Sequence, residues 1–226
     1  TRLQGDWSSD VCSSDLACMC GRYTLRDIRT IQNEYGLNIR ESFNTAPGQN
    51  VLTLTDQPEF MRWSYNPTWA KKSMNLINAR SETLTEKPSF KMAKRCLILA
   101  DGWYEWLREG DTKQPYYFHM NNKIFSFAGI YTEYQEQKGC AIITKEANEK
   151  LGNIHHRMPV LLKYNEGRDW LAGKNVISSS LSERIEYYPV STRVNSPRNN
   201  NEACIGFLNT PTAADDCAEV NSKTNI

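Results

Sequence analysis

The sequence lacks both a long apolar run and a strong net charge, and each absence excludes a class of protein. No apolar stretch approaches the roughly 20 residues that a membrane-spanning helix needs, and no basic-then-apolar start indicates a signal peptide. The 27 Lys and Arg residues nearly balance the 26 Asp and Glu residues, which leaves a net charge of +1. Because no overall positive field would attract a polyanion, a nucleic-acid site would have to be a local groove. We therefore expect a soluble, cytoplasmic protein with no membrane partner.

A disulfide framework is lacking as well. The seven cysteines are odd in number and irregularly spaced, a usage typical of a reducing compartment. Cys18-x-Cys20 gives only a weak metal signal, because no second ligand pair follows at the spacing of a zinc site. We expect neither a metal nor another cofactor.

No internal repeat and no linker rich in Gly, Ser or Pro divides the chain, so we expect one domain. The pattern predicts an α+β fold in which a mainly antiparallel, curled and barrel-like β-sheet is flanked by short helices. Asn121 and Asn122, between two predicted strands, suit the two-residue turn of a hairpin. Helices are predicted over residues 26–35, 146–151 and 165–172, and strands over residues 51–55, 59–63, 95–100, 115–120, 123–130, 139–144, 160–163 and 187–190.

The two ends of the chain are expected to lie outside the fold. Residues 1–18 resemble translated cloning sequence more than a targeting peptide, so we assign them to a non-native or leader extension. Residues 19–210 form the predicted domain, and the polar residues 211–226 form a loose C-terminal tail. The alternative for residues 1–18 is a pro-segment whose cleavage exposes Cys20.

Met19 and Cys20 open the most informative stretch. If Met19 is the translation start, its removal leaves Cys20 at the N-terminus, where an α-amine of pKa about 8 neighbours a thiol of pKa about 8.5. Such a pair can close a thiazolidine ring on an aldehyde, which an interior cysteine cannot do. The alternative is that Cys20 is a small buried hydrophobic residue.

Two further segments carry groups suited to proton transfer. Glu105 lies among aromatic residues, and desolvation there would raise its pKa toward the range in which a carboxyl shuttles protons. The alternative is a rim carboxylate paired with an arginine. His155 and His156 are two of only three histidines, and Arg157 follows them. A histidine in such a place is either an acid/base group or a satisfied structural side chain.

Polar and aromatic residues elsewhere suit contacts with a nucleic acid. Asn78 and Arg80 could bind a sugar or a phosphate, or could simply cap a turn. Trp63 and Trp69, in loops beside basic residues, suit stacking on bases, although either could belong to the core.

Taken together and in order, the motifs resemble those of the SOS-response-associated peptidase (SRAP) family of abasic-site-processing proteins, over roughly residues 19–195. The motifs are Cys20-Gly21-Arg22-Tyr23, Asn44-x-Ala46-Pro47, Trp63 with Pro67-x-Trp69-Ala70, Asn78-Ala79-Arg80-x-Glu82-Thr83, Asp101-Gly102-x-Tyr104-Glu105-Trp106, Thr144-x-x-Ala147 and Ile154-His155-x-Arg157-Met158-Pro159-Val160.

The resemblance implies a protein that binds single-stranded DNA and links its N-terminal cysteine to the ring-opened aldehyde of an abasic site. By motif, Cys20 is the nucleophile and Glu105 the proton shuttle beside it. His155 is the acid/base that helps to open the sugar ring and to reverse the link, and it is chosen over His156 because it directly follows Ile154. Asn78 would position the α-amine or the sugar. The implied DNA-binding residues are Arg22, Arg80 and Arg157 at phosphates, Trp63 and Trp69 at bases, and Thr144.

One feature departs from the family pattern. Residues 1–18 would convert the amine of Cys20 into a peptide amide, which cannot form a Schiff base. Two other functions therefore stay open. One is a cysteine amidase or protease that uses Cys20 with His155 and Glu105, and the other is a non-catalytic module that binds single strands. The expected partner is single-stranded DNA with abasic sites, bound by a monomer.

Overall fold

The computed structural model describes residues 20–177 and 180–208, so Met19, the predicted extension and the predicted tail lie outside the described residues. The strands are β1 Arg22–Leu25, β2 Ser42–Thr45, β3 Asn50–Leu54, β4 Pro58–Trp63, β5 Asn78–Arg80, β6 Lys94–Ala100, β7 Gly102–Glu109, β8 Thr112–His119, β9 Phe125–Tyr134, β10 Gln137–Glu146, β11 Arg157–Pro159, β12 Leu161–Leu162 and β13 Glu186–Pro189. The α-helices are α1 Ile28–Tyr35, α2 Glu149–Gly152 and α3 Tyr164–Leu171.

Five strands close into a barrel. In the ring β10-β4-β3-β6-β9, each strand pairs with the next, and β9 pairs back onto β10. All of these pairings are antiparallel except that of β10 with β4. Closure removes the unpaired edges of a small sheet, and short strands β5, β11 and β12 attach to β10 and β9. The predicted mainly antiparallel, barrel-like sheet with few short helices is confirmed.

A second, antiparallel sheet has the order β13-β8-β7-β1-β2. The sequence predicted a single sheet and did not predict β1, β2 or β7. The apolar residues of β6 run almost directly into those of β7, with Asp101 between them, so the pattern does not reveal that the chain changes sheets there. This second sheet carries Glu105, and Cys20 lies two residues before its strand β1.

Asp101 anchors the segment that follows Cys20. Its buried carboxylate accepts hydrogen bonds from Thr24 Oγ1 at 2.5 Å and from the backbone nitrogens of Arg26 and Asp27 at 2.6 and 3.1 Å. Asp27 then caps α1 by accepting from Thr30 N at 3.1 Å. A buried carboxylate with this many donors is satisfied where it lies, so we assign Asp101 a structural role.

Aromatic residues hold the second sheet against the barrel. The ring of Tyr23 on β1 lies 5.3 Å from that of Trp63 and 5.8 Å from that of Phe127, both in the barrel. The ring of Trp103 on β7 packs edge-on against those of Phe125 and Phe127 on β9, at 6.0 and 6.2 Å. Each such side chain stabilises the fold by roughly 2–3 kcal/mol when fully buried, so the position of β1 over the barrel is well fixed.

The hairpin predicted at Asn121 and Asn122 is wrong. Both residues have positive φ, 47° and 58°, and Lys123 N donates to Met120 O at 2.9 Å, which is the expected tight turn. The flanking strands nevertheless belong to different sheets, β8 to the second sheet and β9 to the barrel. Turn residues fix local backbone angles, but the burial of whole strands decides which strands pair.

The helices are short and peripheral. Helix α1 begins two residues later than predicted and ends at Gly36, whose φ of 67° is the left-handed conformation that glycine adopts without strain. In the part of the chain that the structure describes, no helix is long and apolar enough to cross a membrane.

Candidate active site

Cys20 and Glu105 meet directly, although 85 residues separate them in the chain. The backbone nitrogen of Cys20 donates to Glu105 Oε1 at 2.7 Å, and both residues are buried. Cys20 has a φ of 44°, in the left-handed region that few non-glycine residues occupy. This turn points the backbone nitrogen at the carboxyl group. The predicted pairing of the two residues is therefore present in the geometry.

Glu105 lies in the middle of β7. Across the sheet, Glu105 lies opposite Tyr116 of β8. The residue before it, Tyr104, lies opposite Arg22 of β1. Burial raises the pKa of Glu105 well above its ordinary value, and the hydrogen bond from Cys20 opposes part of that rise. A carboxyl held in this way keeps its proton to higher pH and can exchange it with the adjoining nitrogen.

Strand β10 brings four of the other predicted residues together. On one edge it pairs in parallel with β5, so that Ile142 lies opposite Asn78 and Thr144 lies opposite Arg80. On its other edge β11 places Arg157 opposite Glu146. We call Asn78, Arg80, Thr144 and Arg157 the β10 rim. The sequence could not align them, because β5 and β11 have only three residues each.

His155 is half-buried at the end of this rim and stacks on His156 with ring centroids 4.6 Å apart. Its Nδ1 lies 3.1 Å from the backbone nitrogen of Arg157 and 3.2 Å from the carbonyl oxygen of the same residue. A neutral ring accepts from the N–H, which leaves its proton on Nε2, whereas a charged ring donates to the carbonyl. Burial lowers the pKa of His155, and nearby positive charges on Arg157 and Arg108 act in the same direction. The neutral ring is thereby favoured at neutral pH.

Arg157 makes a two-point ion pair with Glu82. Nη1 donates to Oε1 at 2.7 Å and Nη2 to Oε2 at 2.8 Å, while Nη2 also donates to the carbonyl oxygen of Thr144 at 2.9 Å. These bonds from Arg157 lower the pKa of Glu82 to about 2. Glu82 belongs to one of the sequence motifs, but the sequence alone assigns it no function. Its position two residues after Arg80 was the one feature of the sequence that could have pointed to it.

Arg22 is occupied by the protein. Its Nη1 donates to Asn44 Oδ1 at 3.1 Å and to Val194 O at 2.7 Å, and its Nη2 donates to Asn195 O at 3.2 Å. These bonds tie β1 to the 3-10 turn Thr192–Asn195. If Arg22 contacts a phosphate, as the resemblance implies, it must do so through guanidinium N–H groups that are not already bonded to Asn44, Val194 and Asn195.

The two tryptophans assigned to base stacking differ. Trp63 is 0% exposed, and its Nε1 donates to Ile77 O at 3.0 Å, so the expectation for Trp63 is corrected: it is a core residue with no face open to a base. Trp69 is 54% exposed, and its Nε1 donates to Pro88 O at 3.4 Å. Trp69 thus presents a ring on which a base could stack.

Two surface cavities, of about 340 and 260 Å³, lie away from the candidate residues, against α1 and between β4 and the β9–β10 turn. Cys20 shares one buried cluster with Ile154 and Met158, the residues that flank the His155–Arg157 segment. Glu105 contacts Cys20 directly, whereas Asn78 lies on β5 beside β10 and His155 lies two residues before β11.

Several known proteins are similar to this chain over most of its length. A family model described as SOS response associated peptidase (SRAP) matches residues 19–197. The chain is similar to the abasic site processing protein YoaM of Bacillus subtilis, at 36% identity over 84% of this chain and 99% of the relative. It is also similar to YedK of Escherichia coli, at 33% identity over 72% of this chain and 83% of the relative. The chain is similar as well to the abasic site processing protein HMCES of Gallus gallus, at 35% identity over 64% of this chain and 56% of the relative.

A solved structure supports the fold independently. A protein from Bacteroides thetaiotaomicron superimposes with a TM-score of 0.71 over 84% of this chain and all of its own, at 24% identity. At that level of identity the likeness concerns the fold alone.

Proposed function

Since the chain belongs to the SOS response associated peptidase (SRAP) family, we propose that it binds single-stranded DNA and links covalently to abasic sites through Cys20. The processing of abasic sites is what the names of its relatives state. The observation that carries the covalent step is the 2.7 Å contact between the nitrogen of Cys20 and Glu105.

The covalent step follows from an unblocked Cys20. Its α-amine adds to C1 of the ring-opened sugar, and loss of one water gives an imine. The adjacent thiol then adds across the C=N bond, its sulfur bonding to carbon and its proton passing to nitrogen, which closes a thiazolidine. The overall change is the loss of one water, and no oxidant or reductant is needed. An imine alone would hydrolyse, so the thiol makes the link durable.

Glu105 is the proposed proton carrier for these steps. The amine must lose a proton to attack, and the departing hydroxyl must gain one. A carboxyl with a raised pKa, hydrogen-bonded to the reacting nitrogen, can do both in turn. His155, neutral at physiological pH and with its proton on Nε2, would help to open the sugar ring and to reverse the link. Asn78 would position the amine or the sugar.

The β10 rim is the proposed DNA-binding surface. Arg80 is exposed at the end of β5, and Trp69 offers an exposed ring to a base. Thr144 lies on β10 between Arg80 and Arg157, but it is 0% exposed, so its expected contact with DNA is corrected and it supports the surface from within. Arg157 and Arg22 complete the proposed phosphate contacts. Because the net charge is only +1, affinity would come from this local row of donors.

A thiol-dependent amidase or protease is the second candidate. Such an enzyme needs a base within reach of the sulfur of its cysteine. Glu105 accepts a hydrogen bond from the nitrogen of Cys20 at 2.7 Å, which favours chemistry at the amine. We extend the proposal to a monomer that acts in the cytoplasm during the DNA damage response, with lyase- or hydrolase-like reversal of the link.

The test is a denaturing gel of two forms of the protein, one that begins at Cys20 and one that keeps residues 1–18. Each is mixed with single-stranded DNA that is intact or contains an abasic site. We expect a stable adduct only from the form that begins at Cys20 and only with abasic DNA. Cys20→Ser should lose most of the stable product, and Cys20→Ala should keep at most a reducible imine. Equal crosslinking by the extended form, with its extension verified by mass, would refute the amine mechanism.

A further inference from the structure

An ion pair between Glu82 and Arg157 crosses β10, and Glu82 is not one of the proposed reacting groups. Glu82 lies in the 3-10 turn Ser81–Thr83, directly after β5, and its partner Arg157 begins β11. Because β5 and β11 attach to opposite edges of β10, the pair crosses that strand. It connects the segment that carries Asn78 to the segment that carries His155.

The geometry exceeds that of an ordinary surface ion pair. Both oxygens of Glu82 accept from Arg157, at 2.7 and 2.8 Å, and a third guanidinium N–H donates to Thr144 O at 2.9 Å. The Arg157 side chain is only 10% exposed. By contrast, Lys174 and Asp169 form a single-point pair with side chains 67% and 44% exposed. A two-point pair with one buried member holds its geometry, whereas an exposed single-point pair contributes little.

The pair acts on His155 through the backbone of Arg157. The N–H of Arg157 lies 3.1 Å from Nδ1 of His155, and its carbonyl oxygen lies 3.2 Å away. One residue therefore serves both protonation states of the ring. If the side chain of Arg157 is displaced, this backbone is displaced with it.

We propose that Glu82 is a positioning residue that, through its two-point pair with Arg157, holds His155 in its working orientation and tautomer. Glu82 touches no reacting atom in this account. Its negative charge also neutralises Arg157, the cation nearest to His155 in sequence. The other charged groups that face the ring are its neighbour His156 and Arg108 from β7.

The first test needs no DNA, so it stands even if the proposed function fails. The chain has only three histidines, which makes an NMR titration of their rings tractable. In Glu82→Gln we expect the pKa of His155 to fall, because the charge of Arg157 is no longer neutralised, and the nitrogen shifts to report a mixed tautomer. The matched control is Glu59→Gln, since Glu59 on β4 forms a single-point ion pair with Lys138 at 2.6 Å and makes no contact with Arg157 or His155 among those described. An unchanged His155 signal in Glu82→Gln would overturn the proposal.

The second test rests on the proposed function and measures the rate of adduct formation with abasic DNA. Glu82→Gln should slow it about tenfold, because displacements of less than 1 Å at a reacting group have effects of this order, and Glu59→Gln should not. Arg157→Lys keeps the charge but loses the two-point geometry, so it should be slowed equally. The double variant Glu82→Gln, Arg157→Lys should be no slower than either single one.

The outcomes separate cleanly. A wild-type rate in Arg157→Lys would show that charge alone matters and would overturn the positioning role. A loss of rate caused by unfolding would appear as a lowered melting temperature, and Glu82→Asp, which keeps the charge, should then restore the rate in part. Absence of any wild-type adduct would refute the proposed function, and the histidine titration would still decide the role of Glu82.

Discussion

The interior around Cys20 and the protein surface contain the same residue types in opposite environments. In the interior, Glu105 and Trp63 are 3% and 0% exposed. At the surface, the side chain of Glu82 is 49% exposed and Trp69 is 54% exposed. Burial raises the pKa of Glu105, whereas hydrogen bonds from Arg157 lower that of Glu82 to about 2. One carboxyl can therefore carry a proton, and the other stays charged and serves as an anchor.

The largest expected effect concerns the interior carboxyl. Glu105→Gln should slow adduct formation by about 10²–10⁴-fold, the typical contribution of a positioned proton-transfer group. The same change should stabilise the fold at neutral pH. Because the pKa of Glu105 is higher in the folded state than in the unfolded state, the folded state binds the proton more tightly. The wild-type protein therefore loses stability as the pH rises above the unfolded value of about 4.3, by about 1.4 kcal/mol for each unit by which the two pKa values differ.

The measurement is a single-turnover gel assay together with thermal unfolding at pH 7. A variant that is both less stable and fully active would show that Glu105 is a structural residue only.

Trp63 should be next in size, and its effect should be on stability. Trp63→Ala removes a side chain that is 0% exposed, and such truncations cost about 3–5 kcal/mol. Denaturant unfolding measures this directly. Trp69→Ala, the matched change at the surface, should leave the free energy of unfolding within about 0.5 kcal/mol of the wild-type value. Similar losses of stability from both changes would contradict the distinction between interior and surface.

Trp69 should matter for DNA instead. We expect Trp69→Ala to weaken the binding of intact single strands by about 1–3 kcal/mol, the usual contribution of one stacked base. Fluorescence anisotropy with a labelled oligonucleotide measures the affinity. An unchanged dissociation constant would show that Trp69 does not stack on a base.

Arg80 should have a smaller effect that does not depend on sequence. Arg80→Ala should weaken the binding of all single strands alike. It should also reduce the slope of log affinity against log salt concentration by about the amount that one phosphate contact contributes. A salt titration of both proteins provides the measurement. An unchanged slope would argue against a phosphate role.

The smallest effect concerns the charge of Glu82. Its lowered pKa gives stability that is present above the unfolded value of about 4.3 and is lost as the pH falls toward about 2. The difference in melting temperature between wild type and Glu82→Gln should therefore shrink across that interval. A difference that is constant with pH would show that the charge of Glu82 is irrelevant to folding.

The sequence predicted much of the fold where its pattern is local. The paired strands β3 and β4 and the end of α1 at Gly36 follow from alternation and turn chemistry. The second sheet was missed because nothing in residues 94–109 marks the change from one sheet to another at Asp101. Pairing between strands distant in the chain is set by tertiary burial, which a local pattern does not encode.

For the site, the residue types were informative and the environments were not. Motif order led to Cys20, Glu105 and His155, of which the first two are in contact. It could not show that Trp63 is buried while Trp69 is exposed, because both stand beside polar and basic residues in the sequence. It also passed over Glu82, whose partner is 75 residues away.

The central claim is that the nitrogen of Cys20, beside Glu105, reacts with the abasic aldehyde, and the intact mass of the adduct tests it most directly. Protein that begins at Cys20 should give, with abasic single-stranded DNA, a product whose mass is the sum of the two less one water, and which needs no reducing agent to persist. A product with the full sum of the masses would indicate addition of the thiol alone. That result, or an equal yield from protein that retains residues 1–18, would contradict the account.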